Sequence, residues 1–198
     1  MDAGLGALVD IQGILLAAGA SGRFGSDKLL VDVDGYPMVV RAARNLLVAG
    51  LPVVCVARDA AGPVARLLAG IPGVLVSACP EARLGMGRSL AWGVATVPRA
   101  DAWLVALGDM PWVEPDTVRA LSDALRTRAS MVAPEYQGDR GHPVGFAGHW
   151  RAHLLALEGD QGARRLLADH PLKVQRVPVQ DPGVLRDLDH PRDLPRPF

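Results

Sequence analysis

The chain has 198 residues, 49% of them apolar and 21% charged, with 21 basic side chains set against 21 acidic ones. That length supports one sizeable core, and the balanced charge excludes a global field that would draw the protein to nucleic acid or to an anionic membrane. No apolar run nears the roughly 20 residues a membrane span requires, and MDAGLGALVDIQG at the start carries acids without a basic leader, so the expectation is a cytoplasmic protein.

Apolar, β-branched runs bounded by turn residues predict strands at about 12–18 (QGILLAA), 52–57 (PVVCVA), 74–78 (VLVSA) and 102–108 (AWLVALG). Between them the spacing is helical, as in Val39, Val40, Ala43, Leu46 and Leu47 on one face. Strands that are apolar on both sides and alternate with helices predict an α/β fold, with a doubly wound, mostly parallel sheet covered by helices on both faces. A helix should start near Glu114, with Pro115 in its first turn. Beyond about residue 129 the pattern is more mixed: strands at about 131–135 and 143–147, helices at about 149–157 and 162–168, strands at about 173–179 and 184–188. No linker or repeat separates the halves, so 1–198 reads as one domain whose second half, about 129–198, builds the wall of a cleft beside the first, about 12–128. Cys55 and Cys79 stand singly in apparent strands without CxxC spacing and read as small buried thiols.

Ligands in such sheets sit at the carboxyl ends of the strands. There the first strand gives way to LLAAGASGRFGSDKLL, residues 15–30, with glycines at 19, 22 and 25 and fixed positive charges at Arg23 and Lys28. Only Lys28 and Lys173 of the 21 basic residues are lysine, so one of two lysines falls in this loop. It is not a Walker A loop, because Ser26 and Asp27 follow Gly25, and it is not GxGxxG, because Ala17 and Ser21 flank Gly19. Backbone N–H groups brought close by glycine, with two cations to neutralise charge, suit a phosphate chain.

The run LAAGxSxRFGxxK, here Leu16, Ala17, Ala18, Gly19, Ser21, Arg23, Phe24, Gly25 and Lys28, resembles the signature loop of MobA-like nucleotidyltransferases. The resemblance implies a Rossmann-like domain in which this loop, with Gly22, wraps the triphosphate of a nucleoside triphosphate. LAAG in place of LAGG resembles the molybdenum cofactor cytidylyltransferase (MocA-like) branch, and the Ala18 methyl would narrow the floor under the base, favouring a pyrimidine on steric grounds.

An isolated Asp after a strand, like Asp109 in WLVALGDMP, commonly serves as a turn or cap residue. Beside a triphosphate it suits Mg²⁺, which takes one or two carboxylates plus phosphate oxygens, and GDMP with Pro115 and Thr117 resembles the family's metal motif. In VLRDLDHPRDL, Asp187 and Asp189 alternate along the expected strand and would face opposite ways. The likeness to the family's DIDTPEDL favours Asp189 as second metal ligand over Asp187, with His190 and Arg192 as departures. GDRGHPVG (138–145) and EGDQGARRLL (158–167) resemble stretches on the acceptor side of the cytidylyltransferase cleft, which implies that Arg140, His142 and Arg164 meet the acceptor. GMGRSLAWG (85–93) resembles the segment in which Ser89 contacts base or triphosphate, with Arg88 standing where small residues are common. His149 and His153 are four apart on a helix, but the intervening WRA lacks the Glu of a zinc motif.

Together these imply Mg²⁺-dependent transfer of CMP from CTP to the terminal phosphate of molybdopterin, with Arg23, Lys28 and Asp109 as catalytic residues. A sugar phosphate or other small phosphate as acceptor, or another nucleoside triphosphate as donor, would use the same loop. A non-catalytic nucleotide or pterin carrier for a molybdoenzyme is the rival reading, supported only by the departures at Arg88, His190 and Arg192.

Overall fold

The computed structural model describes residues 9–19 and 28–188. Its first half runs β1 (Ile11–Ala17), β2 (Asp32–Val33), β3 (Tyr36–Pro37), α1 (Met38–Val48), β4 (Val53–Ala57), α2 (Pro63–Ala69), β5 (Val74–Ala78), α3 (Met86–Thr96), β6 (Ala102–Leu107) and α4 (Pro115–Arg126). The second half continues with β7 (Met131–Tyr136), β8 (Asp139–Arg140), β9 (Val144–Ala147), α5 (Arg151–Leu155), α6 (Arg164–Asp169) and β10 (Val174–Pro178). The four expected strands of the first half form, and α4 starts with Glu114 as its cap and Pro115 in its first turn. The β2–β3 hairpin adds to the expectation; Asp34 and Gly35 turn it with positive φ, and their Asp-Gly dipeptide was its sequence signal.

Among the described residues one sheet holds eight strands, in the order β10-β7-β9-β6-β1-β4-β5 with β8 paired to β7. Parallel pairing joins β5, β4, β1 and β6. The second half enters the same sheet through β9, which runs antiparallel between β6 and β7, while β10 pairs parallel with β7. Alternation along β1 splits its side chains between two cores. Ile11, Leu15 and Ala17 pack with α1, α2 and α4, whereas Ile14 and Ala18 pack with α3, α5 and α6. Every central strand is therefore buried on both faces, and each fully buried Leu or Ile contributes about 1.5–3 kcal/mol of apolar burial.

Three expectations change. Residues 184–188 are not a strand: Pro182–Leu185 form a 3₁₀ turn, because Pro182 sets its first position and the Asp181 carboxylate accepts from the Gly183 N–H at 2.8 Å. The alternation that set Asp187 and Asp189 on opposite faces therefore does not apply, and Asp189 lies outside the described residues. The helices expected at 149–157 and 162–168 shorten to α5 and α6. Cys79 falls just past β5 rather than within it; both cysteines are buried and free, and burial pushes the Cys55 thiol up to about 12.

The chain steps outward from β1 to β4 and β5, then crosses back to place β6 on the other side of β1. The crevice between the carboxyl ends of β1 and β6 is thus the topological switch point, where doubly wound sheets bind their ligands.

Candidate functional site

The two strands flanking that crevice run in register, Leu16 beside Leu107, and the Gly108 N–H donates to the Leu16 carbonyl at 2.9 Å. Ala18 and Gly19 after β1 therefore lie alongside Asp109 after β6. Lys28, on the 3₁₀ turn Lys28–Leu30, reaches across so that its Nζ stands 2.9 Å from Asp109 Oδ2, with side chains 17% and 24% exposed. Ser21, Gly22 and Arg23 lie outside the described residues.

Two adjoining lobes lie along this crevice. One, of about 800 Å³, is lined by Leu16, Ala18, Gly19, Lys28, Ser89 and Asp109. The other, of about 910 Å³, is lined by Arg140, His142 and Arg164, and shares Leu16, Met86, Leu107 and Asp160 with the first. Nine of the expected positions, Leu16, Ala18, Gly19, Lys28, Ser89, Asp109, Arg140, His142 and Arg164, thus lie along one cleft. Ala17 is buried in the opposite core, against the α1, α2 and α4 layer, and lines neither lobe. Ser89 is buried, with its hydroxyl directed back to the Gly85 carbonyl at 3.5 Å.

Arg58 joins the first lobe without having been expected there. It follows β4 as Ala18 follows β1, and its Nε and Nη2 both donate to the Ala18 carbonyl, at 3.2 and 2.9 Å. A cation just past a parallel strand was the available signal. Arg83 and Arg165 also line the cleft, so it is markedly cationic although the chain is neutral.

The wall between the lobes depends on close backbone packing. Gly85 has φ +119, which glycine adopts without strain, and the Gly87 N–H donates to the Gly159 carbonyl at 2.8 Å. A Cβ at Gly87 would fall 2.6 Å from the Glu158 carbonyl oxygen. Arg88 pairs with Glu158 at 2.8 Å and with Glu81 at 3.4 Å. It ties the GMG segment to the 158–160 loop, which accounts for a large cation in place of a small residue.

In the second lobe the chain folds through a cis His142–Pro143 bond, and the His142 N–H donates to the Val184 carbonyl at 2.9 Å. Burial pulls His142 below its ordinary value, the Arg140 guanidinium adds to that, and the Asp109 carboxylate opposes it. The imidazole is therefore neutral near pH 7, with a buried Nδ1 that has no protein partner. Outside the cleft, His149 Nε2 pairs with Ser130 Oγ at 2.8 Å, and the rings of His149 and His153 lie 5.5 and 5.0 Å from that of Trp150.

For a divalent cation the described donor is Asp109, with no cluster of three or more His, Cys, Asp or Glu among the described residues. That donor set fits a hard cation such as Mg²⁺ or Mn²⁺, which retains waters and takes phosphate oxygens instead of a full protein cage.

A switch-point crevice with an acid at one lip and cations at the other defines a doubly wound α/β domain of the nucleotide-binding transferase class. The chain belongs to the MobA-like NTP transferase domain family, whose pattern matches residues 13–175, and it is a nucleotidyltransferase. It is 31% identical to a probable molybdenum cofactor guanylyltransferase of Natronomonas pharaonis, over 93% of this chain and 95% of that one. Purine catabolism protein PucB of Bacillus subtilis is 28% identical, over 91% of this chain and 92% of that one. Among solved structures, Rv0371c of Mycobacterium tuberculosis superposes with a TM-score of 0.80 at 29% identity, covering 94% of this chain and 95% of that one. The same mycobacterial protein has also been solved in complex with manganese, and that structure matches with a TM-score of 0.77 at 28% identity, covering 93% of this chain and 95% of that one. No helix among the described residues is long and apolar enough to cross a membrane.

Proposed function

We propose that this chain transfers CMP from CTP to the terminal phosphate of molybdopterin in its molybdenum-loaded form, with Mg²⁺, in the cytoplasm. The observation that carries the reading is the Lys28–Asp109 pair at the switch point, in a lobe lined also by Ala18 and Gly19 that shares Leu16, Met86, Leu107 and Asp160 with another lined by Arg140, His142 and Arg164. An oxygen of the acceptor phosphate attacks the α-phosphorus of CTP. A new P–O bond forms as the bond to the bridging oxygen breaks, and pyrophosphate leaves with that electron pair. Such chemistry asks the protein for positioning and charge stabilisation and needs no protein nucleophile.

Lys28 would stabilise the triphosphate and the departing pyrophosphate, and Arg23 from the neighbouring loop would add a second charge. Asp109, with Asp189, would hold the cation, which neutralises phosphate charge when bound. The 2.9 Å pairing of Lys28 with Asp109 keeps each charge compensated until anion and cation arrive together. Arg140 and Arg164 would take the acceptor's phosphate, and a neutral His142 would offer a hydrogen bond without adding charge.

The cytidine preference rests on Ala18, which is 4% exposed and packs in the core beneath the cleft. The Natronomonas relative is named a guanylyltransferase, so donor choice is a property to be measured on this chain. Pairing of Arg88 with Glu81 and Glu158 gives that departure a structural role, which removes one ground for the carrier reading. The test is pyrophosphate release from each of CTP, GTP, ATP and UTP with loaded pterin. Release with CTP alone supports the proposal, and release only with GTP, or only with a sugar phosphate as acceptor, refutes its donor or its acceptor.

A further inference from the structure

Asp181 is 2% exposed, lines neither lobe of the cleft, and is assigned no part in the proposed transfer. Its carboxylate is nevertheless fully engaged. Oδ2 accepts from the Glu114 N–H and from Thr117 Oγ1, each at 2.8 Å, and Oδ1 accepts from the Gly183 N–H at 2.8 Å. The residue thus binds the start of α4 from 67 positions away and anchors the strap of residues 181–188 on it. Thr117, part of the resemblance to a metal motif, is itself buried and spends its hydroxyl on this anchor.

The strap then fastens two parts of the site. The Val184 carbonyl accepts from the His142 N–H at 2.9 Å, and the Leu188 N–H donates to the Asp109 carbonyl at 3.0 Å. Between these points the Arg186 guanidinium lies 3.7 Å from the centre of the Trp112 ring. The strap runs so close that a Cβ at Gly141 would collide with the Val184 carbonyl and one at Gly183 with the Trp112 carbonyl. Leu188 and Val184 are wholly buried at its two fastening points.

We propose that Asp181 is a positioning residue: through the 181–188 strap it fixes the backbone at Asp109 and at His142, holding the cation side of the cleft in register with the acceptor side. The inference rests on the assignment of Asp109 to the divalent cation. Loss of the anchor frees the strap, and Asp109 then no longer presents its carboxylate in one place. Groups that orient a metal ligand typically change metal affinity about 10-fold or more when lost.

The experiment compares wild type, Asp181→Asn, Thr117→Val and Asp109→Asn by Mn²⁺ binding in the presence of CTP, followed by electron paramagnetic resonance, and by amide hydrogen exchange. Asp181→Asn should speed exchange across 183–188 and at 109–110, weaken Mn²⁺ binding about 10-fold and lower kcat, with KM for CTP nearly unchanged. Thr117→Val removes one of the three bonds and guards against an Asp181 variant that fails to fold; it should shift the same readouts less, and Thr117→Ser should restore them. Folded Asp181 and Thr117 variants that bind Mn²⁺ as wild type does, while Asp109→Asn does not, overturn the inference alone. Wild-type Mn²⁺ binding in Asp109→Asn overturns the metal assignment, and the inference falls with it.

Discussion

Replacing Lys28 with alanine separates the folding role of the site from its chemical role. Nζ lies 2.9 Å from Asp109 Oδ2. At an effective dielectric near 20 the bare attraction at that distance is about 6 kcal/mol. Desolvation and the ordering of two side chains offset most of it, and a hydrogen bond between charged groups nets about 1.5–3 kcal/mol. Side chains 17% and 24% exposed keep some access to water, so the lower end, about 1.5 kcal/mol, is the expected stability loss. A domain of ordinary stability, about 5–15 kcal/mol, remains folded after such a loss. Turnover should respond far more, because removing a preorganised group that stabilises transition-state charge costs about 10²–10³-fold. Urea denaturation and pyrophosphate release on the same preparation measure the two effects. Adding Asp109→Asn to Lys28→Ala should recover part of the lost stability, since no uncompensated carboxylate remains, but none of the activity. Near-normal turnover by Lys28→Ala, or a loss of turnover that only tracks unfolding, would contradict a charge-stabilising role for Lys28.

Ala18→Gly should widen the floor beneath the base and raise the GTP to CTP ratio in kcat/KM; an unchanged ratio contradicts the steric argument. Arg58→Ala removes both bonds to the Ala18 carbonyl and should raise KM for the nucleotide about 10-fold with a smaller change in kcat, and an unchanged KM would count against it. His142 titrates below its ordinary 6.5 in the folded chain, so the unfolded chain takes up that proton first as pH falls. The stability tied to this group is therefore present above about pH 6.5 and lost as pH drops towards the folded value. His142→Gln should flatten the decline of the denaturation midpoint below about pH 6.5, and an equal slope in both proteins would refute that assignment.

Much of this arrangement was legible because it depends on local pattern. Strands β1, β4 and β6 declared themselves by apolar runs, since in a parallel sheet sequestered on both sides no alternation with polar residues is required, and β5, the partly exposed edge strand, was legible from its β-branched run. Asp109 and Lys28 were legible for the same reason: both sit just beyond strand ends, or on the loop that follows one. Features set by long-range contact were not. Arg58 looked like any surface arginine until β4 was paired beside β1. Arg88 read as an anomaly because its partners, Glu81 and Glu158, come from separate segments, the second 70 residues away. The expected strand at 184–188 had apolar residues at Val184 and Leu185, yet Pro182, Gly183 and the Asp181 carboxylate bend that segment into a 3₁₀ turn. Arg140 and Arg164 were placed by resemblance, and the antiparallel insertion of β9 beside β6 explains how so distant a segment reaches the switch point.

The most direct test of the assigned transfer is pyrophosphate release by the purified protein with Mg²⁺, comparing CTP, GTP, ATP and UTP, each with and without molybdenum-loaded molybdopterin. Release from CTP that depends on the pterin is the expected result. Tight CTP binding with no release under any of these conditions would contradict it and leave a carrier in place of a transferase.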